Sequence, residues 1–117
     1  MKLLLPLVLL PLVCFAATVV QTFDAPDTGI TGLAWGDGVL WAVDGTTQFV
    51  YGMDPATGSV TTSFYAADQT PTYNPIAGGL TYGNNTLYLA MHSATQYGKM
   101  YKYDDSGVYL GNFDVYC

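Results

Sequence analysis

One side chain in the sequence changes protonation near neutral pH: the single histidine, His92. Acid–base chemistry needs such a group beside a nucleophile or a second titratable partner. His92 has no cysteine, glutamate or second histidine near it, so it offers no metal-ligand spacing. No serine or cysteine nucleophile motif accompanies it. It reads as a loop or pocket-edge histidine; no catalytic residue, metal ligand or cofactor is assigned. The acids are nine aspartates and no glutamate. Asp54 in Asp54-Pro55-Ala56-Thr57-Gly58 and the pair Asp104-Asp105 lack the oxygen-ligand spacing of a calcium loop, and they read as turn formers. The remaining polar and aromatic groups fall into two runs, Asp68, Gln69, Tyr73 and Asn74, then His92, Ser93, Gln96 and Tyr97. Tyrosines that stack and amides that hydrogen-bond suit sugars or peptides. These eight residues form the candidate ligand-binding set, although any polar loop contains the same types.

The elements that must position them come from an internal repeat. Gly32-Leu33-Ala34-Trp35-Gly36-Asp37-Gly38-Val39-Leu40-Trp41 matches Gly79-Leu80-Thr81-Tyr82-Gly83-Asn84-Asn85-Thr86-Leu87-Tyr88 without a gap. Val50-Tyr51-Gly52-Met53-Asp54 then matches Met100-Tyr101-Lys102-Tyr103-Asp104, and Gly58 to Phe64 matches Gly107 to Phe113. The period, about 47 to 50 residues, suits a four-stranded unit. Each unit reads as four strands, A to D; in the first they are Gly32–Trp35, Val39–Val43, Phe49–Met53 and Ser59–Phe64. Asp37-Gly38 and Asn84-Asn85 tolerate the positive φ of tight hairpins. Val19-Val20-Gln21-Thr22-Phe23 resembles strand D at Val60–Phe64, so an extra D-type strand is expected at 19–23. Trp35, Trp41, Tyr82 and Tyr88 hold matching positions and are expected to pack between units.

These repeated residues, with Val39-Leu40-Trp41-Ala42-Val43-Asp44-Gly45 and Asp54-Pro55-Ala56-Thr57-Gly58, resemble the blades of secreted β-propellers. The streptogramin-lyase-like, SMP-30/gluconolactonase-like and glutamine-cyclotransferase-like groups share them. The resemblance implies an all-β fold of two four-stranded antiparallel propeller blades, about 24–64 and 65–113, plus the N-terminal strand. Rings need about four to eight blades, so the two imply part of a larger or assembled propeller. The lyase group's catalytic histidine motif is not reproduced around His92. The gluconolactonase group's central metal needs carboxylates from several blades, and Met91 stands where the first unit has Asp44. Alternating strands place the D-to-A and B-to-C connections on one rim. In the second unit both lengthen, to Tyr65–Ala77 and Met91–Lys99, and these stretches carry the eight candidate residues.

Residues 1–16 open with Met1-Lys2 and an apolar run from Leu3, the pattern of a cleaved export signal ending at Ala16. The expected locations are therefore secreted, periplasmic or cell-surface, with no membrane span in the mature chain. Residues 17–117 hold nine aspartates against two lysines, which excludes nucleic acid as a partner because phosphates need a basic surface. Cys117, the one cysteine after the leader, is expected to pair with a thiol elsewhere. Asn84-Asn85-Thr86 is a glycosylation sequon, meaningful only in a eukaryotic secretory route. Three functions stay open. The first is a binding scaffold for an unknown carbohydrate, peptide or protein. The second is a lyase- or lactonase-like fragment whose catalytic groups lie on other blades. The third is a structural protein that self-associates through exposed blade faces.

Overall fold

The computed structural model describes residues 17–66, 76–92 and 98–115. Eight strands form two four-stranded antiparallel sheets with no helix among the described residues. The first sheet runs β1 (Ile30–Gly36), β2 (Val39–Asp44), β3 (Phe49–Met53) and β4 (Val60–Tyr65). The second runs β5 (Ile76–Gly83), β6 (Thr86–His92), β7 (Gly98–Tyr103) and β8 (Tyr109–Val115). In each, strand order follows chain order, as in propeller-like blades.

Local chemistry accounts for the hairpins. Asp37 and Gly38 have φ of 52° and 75°, and Asn84 and Asn85 have 51° and 56°, the double left-handed geometry of a two-residue turn. At the β3–β4 turn, Asp54 accepts the N–H of Ala56 on its carboxylate and that of Gly58 on its carbonyl. Asp104 does the corresponding work at β7–β8, its carboxylate accepting from Ser106 and Val108. Of the three acids expected to form turns, Asp54 and Asp104 thus accept bonds within those turns and Asp105 is exposed. Bulges also recur: the β1 register shifts between Ile30 and Gly32 and the β5 register between Ala77 and Gly79. Those of β3 and β7 shift at Gly52/Met53 and Lys102/Tyr103.

The core lies between the sheets. Ala34, Val39, Trp41, Val43 and Val50 of the first meet Leu80, Tyr82, Leu87, Leu89, Met91, Tyr101 and Tyr103 of the second. Strands β1 and β5 run side by side at the inner edge. There Gly32 is required by close approach, because a Cβ would come within 2.9 Å of the Leu80 backbone nitrogen. Gly36 is required more strictly still, since its Cβ would enter the Tyr82 ring. Trp41 stacks on that ring at 6.4 Å between centroids and 9° between planes. Of the four aromatic residues expected between units, Trp41 and Tyr82 meet there, whereas Trp35 is 61% exposed and Tyr88 half-buried on the outward faces.

The expected strand at 19–23 is not formed; residues 17–25 make no ladder pairing. A strand needs a neighbouring edge to exchange N–H and C=O bonds with, and none of the described strands pairs with this segment. Phe23 nevertheless stands against the first sheet where Phe64 stands against the second. Phe23 covers Gly58, where a Cβ would lie 2.6 Å from its ring, just as Phe64 covers Gly107 at 2.5 Å.

Candidate functional site

Strand ends Ile30, Asp44, Phe49 and Tyr65 of the first sheet lie on the same rim as Ile76, His92 and Gly98 of the second. On the second sheet, His92 closes β6 opposite Ile76 and is exposed. Its ring lies over Gly78, 3.4 Å from where a Cβ would stand. No group of three metal-ligating side chains is present among the described residues. Asp68, Gln69, Tyr73, Asn74, Ser93, Gln96 and Tyr97, with Cys117 and the expected export signal at 1–16, lie outside the described residues. The structure therefore places one of the eight candidates, at the edge where the longer connections begin.

The corresponding edge of the first sheet is built around a carboxylate. Asp44, 1% exposed, accepts three backbone N–H groups: Thr46 and Thr47 at 2.7 Å on Oδ1, and Gly29 at 2.8 Å on Oδ2. These bonds tie the chain entering β1 to the β2–β3 turn. The N–H of Thr47 and its companions hold the Asp44 pKa below the ordinary 3.8 against an opposing push from burial. With both oxygens engaged, Asp44 pins two loops. Gly29 is fixed by the same contact, because a Cβ would stand 2.7 Å from Oδ2.

Outside this pin, Asp27 accepts the Tyr51 hydroxyl at 2.8 Å and the Thr28 N–H at 2.7 Å. Burial, followed by the bond to Asp27, pushes the Tyr51 pKa above its usual 10.0. Phe49 stands beside Tyr51 and Tyr65, with ring centroids 6.1 and 5.7 Å away. Phe49 and Tyr65 remain 38% and 55% exposed. The first sheet thus presents an aromatic surface next to a hydrogen-bonded carboxylate. In the second sheet the positions of Phe49 and Tyr65 are held by the cross-strand ion pair of Lys99 and Asp114. Sequence reasoning passed over this edge. The available signal was Asp44-Gly45-Thr46-Thr47, an aspartate followed by the backbone donors that such side chains capture.

A family profile described as a repeat of unknown function, DUF6923, matches residues 14–104. The chain belongs to that family. The match takes in the segment bearing Phe23, the whole first sheet and β5 to β7 of the second; β8 lies beyond it. Comparison with curated proteins finds no match.

Proposed function

We propose that this DUF6923 repeat is an exported, propeller-type binding scaffold that presents ligand-contacting loops from one rim of stacked sheets. What supports the reading is that the strand ends flanking both lengthened connections, Tyr65 and Ile76 for one and His92 and Gly98 for the other, lie on a single rim of sheets that share an apolar core. Loops on a rigid sheet are where binding groups are usually displayed. Tyr73, Asn74, Gln96 and Tyr97, with His92 at the strand end, supply stacking and amide groups for a carbohydrate or peptide. The secreted propeller groups that the blades resemble support export, as does the leader-like start.

A second reading rests on the Phe49, Tyr51 and Tyr65 surface and puts the ligand at the first sheet's edge. Arrays of oligosaccharides and of short peptides, probed with the purified chain, test both. The expected outcome is a defined ligand set whose signal falls at least about tenfold in Gln96→Ala and Tyr97→Ala, the loss typical of a removed anchor. Loss in Tyr65→Ala alone transfers the site to the first sheet. Signals no stronger than those of an unrelated acidic protein would sink the scaffold reading altogether.

A further inference from the structure

The two outward faces of the double sheet are the two halves of its own internal interface. Inside the chain, the Tyr82 ring fills the space left by Gly36, and the Gly79–Leu80 backbone presses on Gly32. Moving each residue to its repeat equivalent reverses the roles. Trp35 takes the place of Tyr82 and Leu33 that of Leu80; both stand on the outward face of the first sheet, each 61% exposed. Gly83 and Gly79 take the places of Gly36 and Gly32 on the outward face of the second sheet. A Cβ at either would meet nothing within 4 Å among the described residues. Tyr88 replaces Trp41 as the stacking partner. One end of the molecule therefore carries a knob, the Trp35 ring, and the other carries the open hollow over Gly83 that matches it.

We infer that a second copy of this chain occupies these faces, its Trp35 seated over Gly83 and its Leu33 against Gly79, in the arrangement that joins the two sheets of one chain. Such a contact is head-to-tail, since the patches that meet are different. The faces also differ in charge: Lys102 stands beside Tyr88 on the second sheet's outward side, while Asp24 and Asp27 edge the first sheet's. Around Leu33, a hollow of about 190 Å³ lined by Phe23, Pro26, Ile30, Leu40 and Met53 leaves apolar surface uncovered. One seat is already taken. Phe23 covers Gly58, where repeat equivalence would bring Phe113 of the neighbouring copy, so the contact joins β1–β2 to β5–β6. This inference is independent of the rim reading, because the faces it uses carry none of the proposed ligand contacts.

Complementation between two defective variants tests it. The full chain is expressed with its leader so that any processing takes place, and it is followed by sedimentation velocity over a concentration series. Trp35→Asp spoils the knob and leaves the hollow; Gly83→Asp does the reverse. Each variant alone is expected to weaken association at least about tenfold, and their equimolar mixture is expected to form a capped one-to-one dimer. Leu33→Asp with Gly79→Asp provides a second pair should either first variant fail to give a folded circular-dichroism spectrum. A monomeric wild type at every concentration, variants that associate as the wild type does, or a mixture that stays monomeric each overturns the inference.

Discussion

Gly36 and Gly83 occupy the same place in the repeat, yet one is enclosed and the other stands open. The Tyr82 ring fills the space that a Cβ at Gly36 would take, whereas nothing among the described residues comes within 4 Å of a Cβ at Gly83. A second pair of equivalent positions is buried in both sheets but differs in chemistry: Asp44 organises a rim with three N–H bonds, and Met91 fills the core between the sheets. A repeated residue type thus preserves the shape of a sheet, while its energetic weight depends on whether a neighbour has been stacked against it.

The sharpest way to break that comparison is Gly36→Val beside Gly83→Val. The first forces a side chain into a ring and is expected to destabilise by about 3 kcal/mol or more, at the upper end of overpacking effects. The second is expected to stay within about 0.5 kcal/mol, as for an open surface position. Denaturant unfolding at low protein concentration reads both, and equal losses would show that the two sheets are not stacked as described.

Asp44→Ala comes next. Leaving three N–H groups of Gly29, Thr46 and Thr47 without their charged acceptor is expected to remove about 3 kcal/mol. Acid titration sharpens this. Because the folded pKa of Asp44 lies below its unfolded 3.8, its contribution is complete above that value and disappears as pH falls through the folded pKa. The stability gap between wild type and Asp44→Ala should therefore be constant near neutrality and close below pH 3.8. A gap independent of pH would mean that the carboxylate charge is not what holds the loops.

Tyr82→Phe should have the smallest effect. The Tyr82 hydroxyl and the Trp41 indole nitrogen are buried with no hydrogen-bond partner among the described residues, and burial raises the Tyr82 pKa. Removing an unsatisfied hydroxyl is expected to leave stability unchanged or raise it by up to about 1 kcal/mol. A clear loss on thermal unfolding would reveal a partner for that oxygen.

Much of the architecture is legible along the chain because its causes are local. β3 spans Phe49–Met53 as alternation and turn residues suggest, while β1 begins earlier, at Ile30, and β2 reaches Asp44. Those extra residues pair with each other, Ile30 opposite Asp44, so the extension is a property of the pair and not of either stretch alone. The Asp44 pin was hidden for the same reason: its partner Gly29 lies on another element, and column-by-column comparison with Met91 shows only a broken pattern. The segment at 19–23 failed in the opposite way. Its side chains carry the D-strand pattern, and Phe23 takes the matching seat, but hydrogen bonding needs an edge that the pattern itself cannot provide. Seven of the eight candidate rim residues lie outside the described residues, and His92 is placed by the end of β6 alone.

The recurrent bulges at Ile30/Gly32 and Ala77/Gly79, and at Gly52/Met53 and Lys102/Tyr103, have a geometric consequence. A bulge adds local curl to its strand. Equal irregularities at equal positions give both sheets the same curl, so each layer hands the next one the same rotation. A chain of such layers would fan at a uniform angle, like treads on a spiral stair cut from one template.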